Sequence, residues 1–309
     1  MRVNNGAVSS KKDGLGLKAL VPVLFLMSVV QMASAQMIPA NASRTILLSG
    51  TIGAESSVAY HPGFDQYYSA GIGSTSQPGY VSDSSGNLIQ TQSPLNIDVR
   101  SINFNPNTGL MEVVTFNAVS GGPDRGVIEA QLDGSGLYTG GTATLLASMP
   151  GNVGSQSMPA YDPVRDRFYS RGAGNTVNIV ARSDGSLLGT ITLDFATAGV
   201  ISATGEVLGF SSTNDRFVVT DSGNDTAVIF DLNGDYLGTS ALDVTVPSTY
   251  GVGVANGQLF VRTPSGYQGF DVGLAVSAEA TAIPTLGVYG LILTGLGLLM
   301  VAVRRLSRK

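Results

Sequence analysis

The chain has 309 residues, 43% of them hydrophobic and 13% charged, with a formal net charge of −5, no cysteine, no tryptophan and one histidine, His61. Without cysteine there is no disulfide, no thiol nucleophile and no Cys-based zinc site, and a lone histidine excludes a multi-histidine metal centre. Between residues 36 and 282 stand nine arginines, no lysine and 21 acids, about −12 net, and an exterior of that sign repels phosphate backbones and speaks against nucleic-acid binding.

In chain order, the first element is a targeting segment. Arg2, Lys11, Lys12 and Lys18 precede an apolar stretch from Ala19 to Val30, followed by Ala33-Ser34-Ala35 and then Gln36. A basic region, a short apolar region and a small-x-small site is the order of a secretory signal peptide. The apolar run is shorter than the roughly 20 residues needed to span a bilayer. Residues 1–35 are therefore predicted to be removed by a signal peptidase that reads the small side chains of Ala33 and Ala35.

Residues 36–275 read as one all-β ectodomain. Runs of Val, Ile, Phe, Tyr and Thr alternate with turns rich in Gly, Asn, Asp, Ser and Pro, and no sustained helical period appears. Internal repetition is the stronger signal. Asp166-Arg167-Phe168 recurs as Asp215-Arg216-Phe217, and Gly185 and Gly189 recur as Gly234 and Gly238, both at an interval of 49. Weaker copies begin at Tyr60, at Phe104 and near Val254. The presumptive turn glycines Gly86, Gly134, Gly185 and Gly234 are spaced 48, 51 and 49 apart. Each unit has room for four short strands; in the fourth unit they are roughly Gly205–Phe210, Arg216–Thr220, Ala227–Asp231 and Tyr236–Leu242. A repeat of this length with four strands is the mark of a β-propeller blade. The last unit lacks a fourth strand and a spare one, Thr45–Ile52, precedes the first. The spare strand is predicted to complete the last blade and close a five-bladed ring. The alternative is six blades, with a further unit in 138–160.

Candidate chemistry within the repeats is sparse. His61 lies in a His-Pro-Gly turn that aligns with turns at Asn105 and Asp162, which predicts a structural role. Asp65, Asp166 and Asp215 share one place before the second strand, where an Asp bonding its own hairpin is the expectation. Arg167 and Arg216 flank strands. Calcium is the one cofactor kept open, at Asp221–Asp225 and Asp231–Asp235. Gly234 stands at position four of its loop, whereas the EF-hand pattern has Gly at position six and a Glu at twelve. No nucleophile elbow, zincin motif or P-loop is present.

Residues 276–282 form a linker. Ile283-Pro284-Thr285-Leu286 then leads into an uncharged run, 286–303, long enough to cross a bilayer core, and the basic end Arg304, Arg305, Arg308 and Lys309 is expected to stay on the cytoplasmic side. This order of motif, apolar helix and Arg cluster resembles the IPTL-CTERM protein-sorting domain, a bacterial tripartite tail related in layout to the PEP-CTERM signals handled by exosortases. The resemblance covers about 282–309 and departs where Gly287-Val288-Tyr289 replaces the usual Ser-Glu-Trp. It implies transient anchoring in the bacterial inner membrane, recognition by an exosortase-like peptidase near Ile283–Leu286, and transfer to the envelope, surface or extracellular matrix. The sequence thus points to an exported, sorted, non-enzymatic binding or structural propeller, with an extracellular polysaccharide among its partners. The alternative is a propeller hydrolase or lyase acting on a glycan or lactone.

Overall fold

The computed structural model describes residues 40–48, 54–116, 126–140, 144–148 and 151–274. The predicted signal peptide, the linker and the sorting tail, with Ala33, Ala35, Ile283–Leu286 and Arg304–Lys309, lie outside the described residues.

Strand β1 (Asn41–Leu47) comes first and is paired last in sequence terms. The first sheet holds β2 (Ala59–His61), β3 (Gln66–Ala70), β4 (Gly79–Asp83) and β5 (Leu88–Gln92). The second holds β6 (Val99–Asn105), β7 (Leu110–Thr115), β8 (Gly126–Glu129) and β9 (Thr144–Ser148), and the third β10 (Ala160–Asp162), β11 (Arg167–Arg171), β12 (Thr176–Ala181) and β13 (Leu187–Thr192). The fourth holds β14 (Gly209–Ser211), β15 (Arg216–Asp221), β16 (Thr226–Phe230) and β17 (Tyr236–Ala241). The fifth is β18 (Val252–Ala255), β19 (Gln258–Thr263) and β20 (Gly266–Asp271), with β1 as its outer strand. All neighbours are antiparallel.

The innermost strands β2, β6, β10, β14 and β18 touch in sequence, and β18 returns to β2. Five blades therefore close a ring. The predicted closure by an N-terminal strand is present, about four residues earlier than the pattern Thr45–Ile52 suggested: Asn41 pairs with Asp271 and Leu47 with Gly266. The six-bladed alternative is corrected. The stretch 138–160 holds β9 and the approach to β10, and the small bridge between Leu132 and Tyr138 ornaments the second blade. One helical turn, α1 (Phe195–Ala198), follows the third blade; Asp194 caps it through Thr197 N–H and Gly199 ends it in the left-handed region. Among the described residues no helix is long and apolar enough to cross a membrane.

Stacking of blades explains the hydrophobic pattern. Successive side chains of a strand point to opposite faces, and each blade is covered on both faces. Tyr67 packs between the fifth and first blades while Tyr68 packs between the first and second. Phe168 and Tyr169 divide the same way between the second–third and third–fourth interfaces. Val218 belongs to the cluster between the fourth and fifth blades. Five interfaces thus have one apolar cluster each, which is why the second strands read as nearly continuous apolar runs.

The turn glycines do more than bend hairpins. Gly86 and Gly234 have φ of 90° and 91°, and each backbone lies against the outer strand of the preceding blade. Leu47 N–H donates to Gly86 O, and Asp194 N–H donates to Gly234 O. In the second blade this place belongs to Gly136, with φ of 80°, and not to Gly134 as the spacing had indicated. Gly136 N–H bonds Asp133 O as Gly86 bonds Asp83 and Gly234 bonds Asp231. A second glycine in that hairpin, Gly134, hid the equivalence.

Candidate functional site

The innermost strands surround a central channel of about 350 Å³. Its lining runs from the middle of these strands to the hairpins that leave them. Exposed Pro106, Thr213 and Asn256 stand at its mouth. Four of the five strands carry an aromatic residue at one equivalent place, Tyr60, Phe104, Tyr161 and Phe210, with Val254 in the fifth, and the rings pack into the layers between blades: Tyr60 on Tyr67, Phe104 on His61, Tyr161 on Phe168 and Phe210 on Tyr169. The equivalence follows from register, since these residues pair with Tyr67, Met111, Phe168, Phe217 and Leu259 in the second strands. Small residues between them, Ala59, Ala160, Gly209 and Gly253, keep the centre open.

The polar part of the lining is neutral. Ser57 Oγ accepts from Ile102 N–H at 2.9 Å and donates to Ile102 O at 3.2 Å, tying the first two blades. Asn103 donates to Ser101 Oγ and Asn256 to the Tyr67 hydroxyl. Ser212 and Thr213 complete the rim. Among the described residues no Asp, Glu, His, Lys or Arg lines the channel.

The nearest acids are engaged. Tyr60 OH donates to Asp65 at 2.5 Å and Tyr161 OH to Asp166 at 2.8 Å. The bond to Asp65 pushes the Tyr60 hydroxyl up to about 12, and hydrogen bonds from Ser84 and Tyr60 hold the Asp65 carboxyl below its ordinary value. Asp65, Asp166 and Asp215 all have φ near +50°, in the hairpin position expected of them. They do not converge. Asp215 instead grips Arg165 from the third blade through two bonds of 2.8 and 2.7 Å, and Arg165 also reaches Asp162 at 3.0 Å. Arg167 donates to Tyr169 OH and Arg216 to Gly273 O, so both repeat arginines serve their own strands and neighbours.

His61 is structural in this arrangement. Its Nδ1 accepts from Gly63 and Phe64 N–H, as Asp162 Oδ1 accepts from Val164 and Arg165 and Asn105 Oδ1 from Asn107. An accepting Nδ1 must be unprotonated, and burial lowers the His61 pKa, which agrees. The two loops kept open for calcium spend their carboxylates on N–H groups. Asp231 Oδ1 accepts from Asn233 and Asp235, and Asp221 from Ile201, Ser202 and Gly223. Among the described residues no cluster of three His, Asp or Glu is placed to hold a metal.

The channel lining escaped the sequence reading, although a signal was present: Tyr60, Phe104, Tyr161 and Phe210 each head a repeat, and the strands that open a blade lie nearest the axis.

No protein-family profile matches the chain, and no curated protein matches it. Among solved structures, it is similar to a structural-genomics protein of unknown function from Bacteroides thetaiotaomicron, at 8% identity over 75% of both chains with a TM-score of 0.42. It is also similar to a gluconolactonase from Xanthomonas campestris, at 10% identity over 75% of this chain and 96% of that one, with a TM-score of 0.43.

Proposed function

We propose that this protein is an exported, non-enzymatic binding propeller that takes an uncharged ligand in its central channel. The observation that carries this reading is the lining: five strands converge on a concave site, and among the described residues no Asp, Glu, His, Lys or Arg lines it. General acid–base or nucleophilic catalysis needs a group whose protonation or nucleophilicity is tuned at the reacting atom. The hairpin acids Asp65, Asp166 and Asp215 are bound to tyrosines and an arginine, and the one histidine caps a turn. A concavity with a few placed polar groups is a common form of small-molecule site.

Export and sorting are part of the same proposal. They are supported by the order of charged, apolar and small residues in 1–35 and by the Ile283–Leu286 motif, apolar run and basic end in 283–309. In this reading a signal peptidase cuts after Ala35, the tail anchors the chain in the inner membrane, and an exosortase-like peptidase acts near Ile283–Leu286.

Two measurements test the proposal. The purified full-length protein is assayed against aldonolactones and polysaccharides beside a Ser212→Trp variant that fills the mouth. Equal, background turnover is expected; turnover abolished by the tryptophan would establish an enzyme. Intact mass of the native mature protein should show a chain beginning at Gln36 and ending near residue 283. A chain retaining Arg304–Lys309 in the inner membrane would refute sorting.

A further inference from the structure

We propose that the hairpin face of the ring, where the channel opens, is turned to the lipid surface while the tail is attached, and that cutting the tail is what frees the mouth. This rests on the reading of 283–309 as a membrane tail and adds which surface that tail holds against the bilayer.

The path of the chain carries the inference. Strand β20 runs toward the hairpin face: Phe270 pairs with Leu259, two residues past the Asn256–Gly257 turn at the mouth. The chain then crosses to the fourth blade on that same face. Ser211 Oγ donates to Leu274 O at 3.0 Å, and Asn214 Nδ2 donates to Leu274 O at 3.0 Å and to Gly273 O at 3.3 Å. Arg216 also donates to Gly273 O, at 2.7 Å. Leu274 is buried in the apolar cluster between the fourth and fifth blades. Ser211 continues into Ser212 and Thr213, and all three line the channel. The chain is thus pinned beside the opening. It enters β1 on this face as well, Asn41 opposite Asp271, so the far face carries neither end of the ring.

Length sets the rest. Eight residues, 275–282, separate Leu274 from Ile283. Drawn fully straight, that segment reaches about 30 Å. The far face lies one strand length away, and the six residues of β20 cover about 20 Å. To set the far face against the bilayer, the segment would have to run back along the outside of the ring. About 10 Å of straight chain would then remain, of which the headgroup layer takes roughly 5–7 Å. With the hairpin face toward the bilayer, the whole reach is slack and the segment keeps its conformational entropy. Pro106, Thr213 and Asn256 then look onto lipid across a gap of at most about 30 Å. A small molecule enters such a gap, whereas a bulky macromolecule is hindered until the tail is cut.

The test is energy transfer from the ring to the lipid surface. The chain has no cysteine, so Thr213→Cys at the mouth and Ala173→Cys on the exposed β11–β12 hairpin of the far face each supply a single thiol. Each variant is purified from membranes of a host without a sorting peptidase, with its signal peptide removed and its tail retained. It is labelled with fluorescein maleimide and added to vesicles of phosphatidylethanolamine and phosphatidylglycerol carrying a rhodamine headgroup lipid. Flotation reports anchoring, and quenching of fluorescein reports which face is near. The protein is expected to float, with transfer at least about twofold greater from 213 than from 173. Inserting about twenty Gly and Ser residues after Glu279 should bring the two positions close to equality, because the tether then reaches past the ring. Floating protein with equal transfer, or greater transfer from 173, overturns the orientation and leaves the membrane tail standing. A difference that survives the insertion overturns the tether argument. Protein that does not float overturns the membrane-tail reading and the orientation with it.

Discussion

Replacing Gly86 by alanine isolates what a turn glycine contributes to the ring. A Cβ built there lies 1.9 Å from Thr45 O, about 1.1 Å inside the 3.0 Å limit that real Cβ atoms respect. The obstacle is the backbone of β1, so no side chain can swing aside. The turn must retreat, and the 3.0 Å bond from Leu47 N–H to Gly86 O is lost, at about 1 kcal/mol. Holding a non-glycine residue in the left-handed region adds about 1–2 kcal/mol, and displacement of a packed segment a further ~1–3 kcal/mol. A loss of about 3–6 kcal/mol is expected, a large part of the ~5–15 kcal/mol that holds a domain together. Urea unfolding followed by tyrosine fluorescence reads it, since the chain has no tryptophan. Gly134→Ala is the control: nothing lies within 4 Å of its Cβ position, and the change should stay within about 0.5 kcal/mol. Gly234→Ala, whose Cβ would lie 2.2 Å from Thr192 O, should behave like Gly86→Ala. Equal losses at 86 and 134, or a loss below about 1 kcal/mol at 86, would refute the close-approach argument.

Three further outcomes are expected. Glu112 is fully buried and is held by Arg182 Nε at 2.8 Å and by Asn105 Nδ2 at 2.8 Å; Arg182→Met strands its charge and should cost about 3–5 kcal/mol in urea unfolding, with partial recovery when Glu112→Gln is added. Glu55 is 3% exposed, its Oε2 lacks a hydrogen-bond partner, and burial raises its pKa to about 7 against the pull of Arg262. The folded state then holds a proton that the unfolded state releases between pH ~4.5 and ~7, so this group's contribution falls as pH rises through that window and is flat above it. A shift of this size is at most about 3 kcal/mol; with water near the site, Glu55→Gln should remove about 1–2 kcal/mol of the pH-dependent loss, and an unchanged pH profile of the urea midpoint would refute it. Deleting residues 36–47 removes β1 and bares the edge of β20, so self-association by light scattering should appear where the parent is monodisperse.

The repeats made the architecture legible because every blade solves one problem, covering two faces of a small sheet. The Asp166-Arg167-Phe168 recurrence marks the turn into a second strand, and the spare N-terminal strand had one place to go. What escaped was less periodic. Gly136 takes the role assigned to Gly134 because the second hairpin, Asp133-Gly134-Ser135-Gly136, holds two glycines and only the one three residues after the Asp sits in the turn position. The channel escaped because its lining has no meaning along the chain; only closure of the circle brings Ala59, Ala160, Gly209 and Gly253 around one axis. The turn acids drew attention as chemistry, and the fold spends them on tyrosine hydroxyls, Arg165 and hairpin N–H groups.

Thr45 and Gln268 meet across a bond spanning 223 positions of chain. A polypeptide made N-terminus first therefore presents β1 long before β20 exists. Throughout that interval the strand is an open ladder, able to pair with any passing edge, its own first blades included. The final sheet acts as a clasp whose two halves arrive at opposite ends of synthesis. The moment of completion is set by the arrival of residues 266–271 rather than by the folding of any earlier blade.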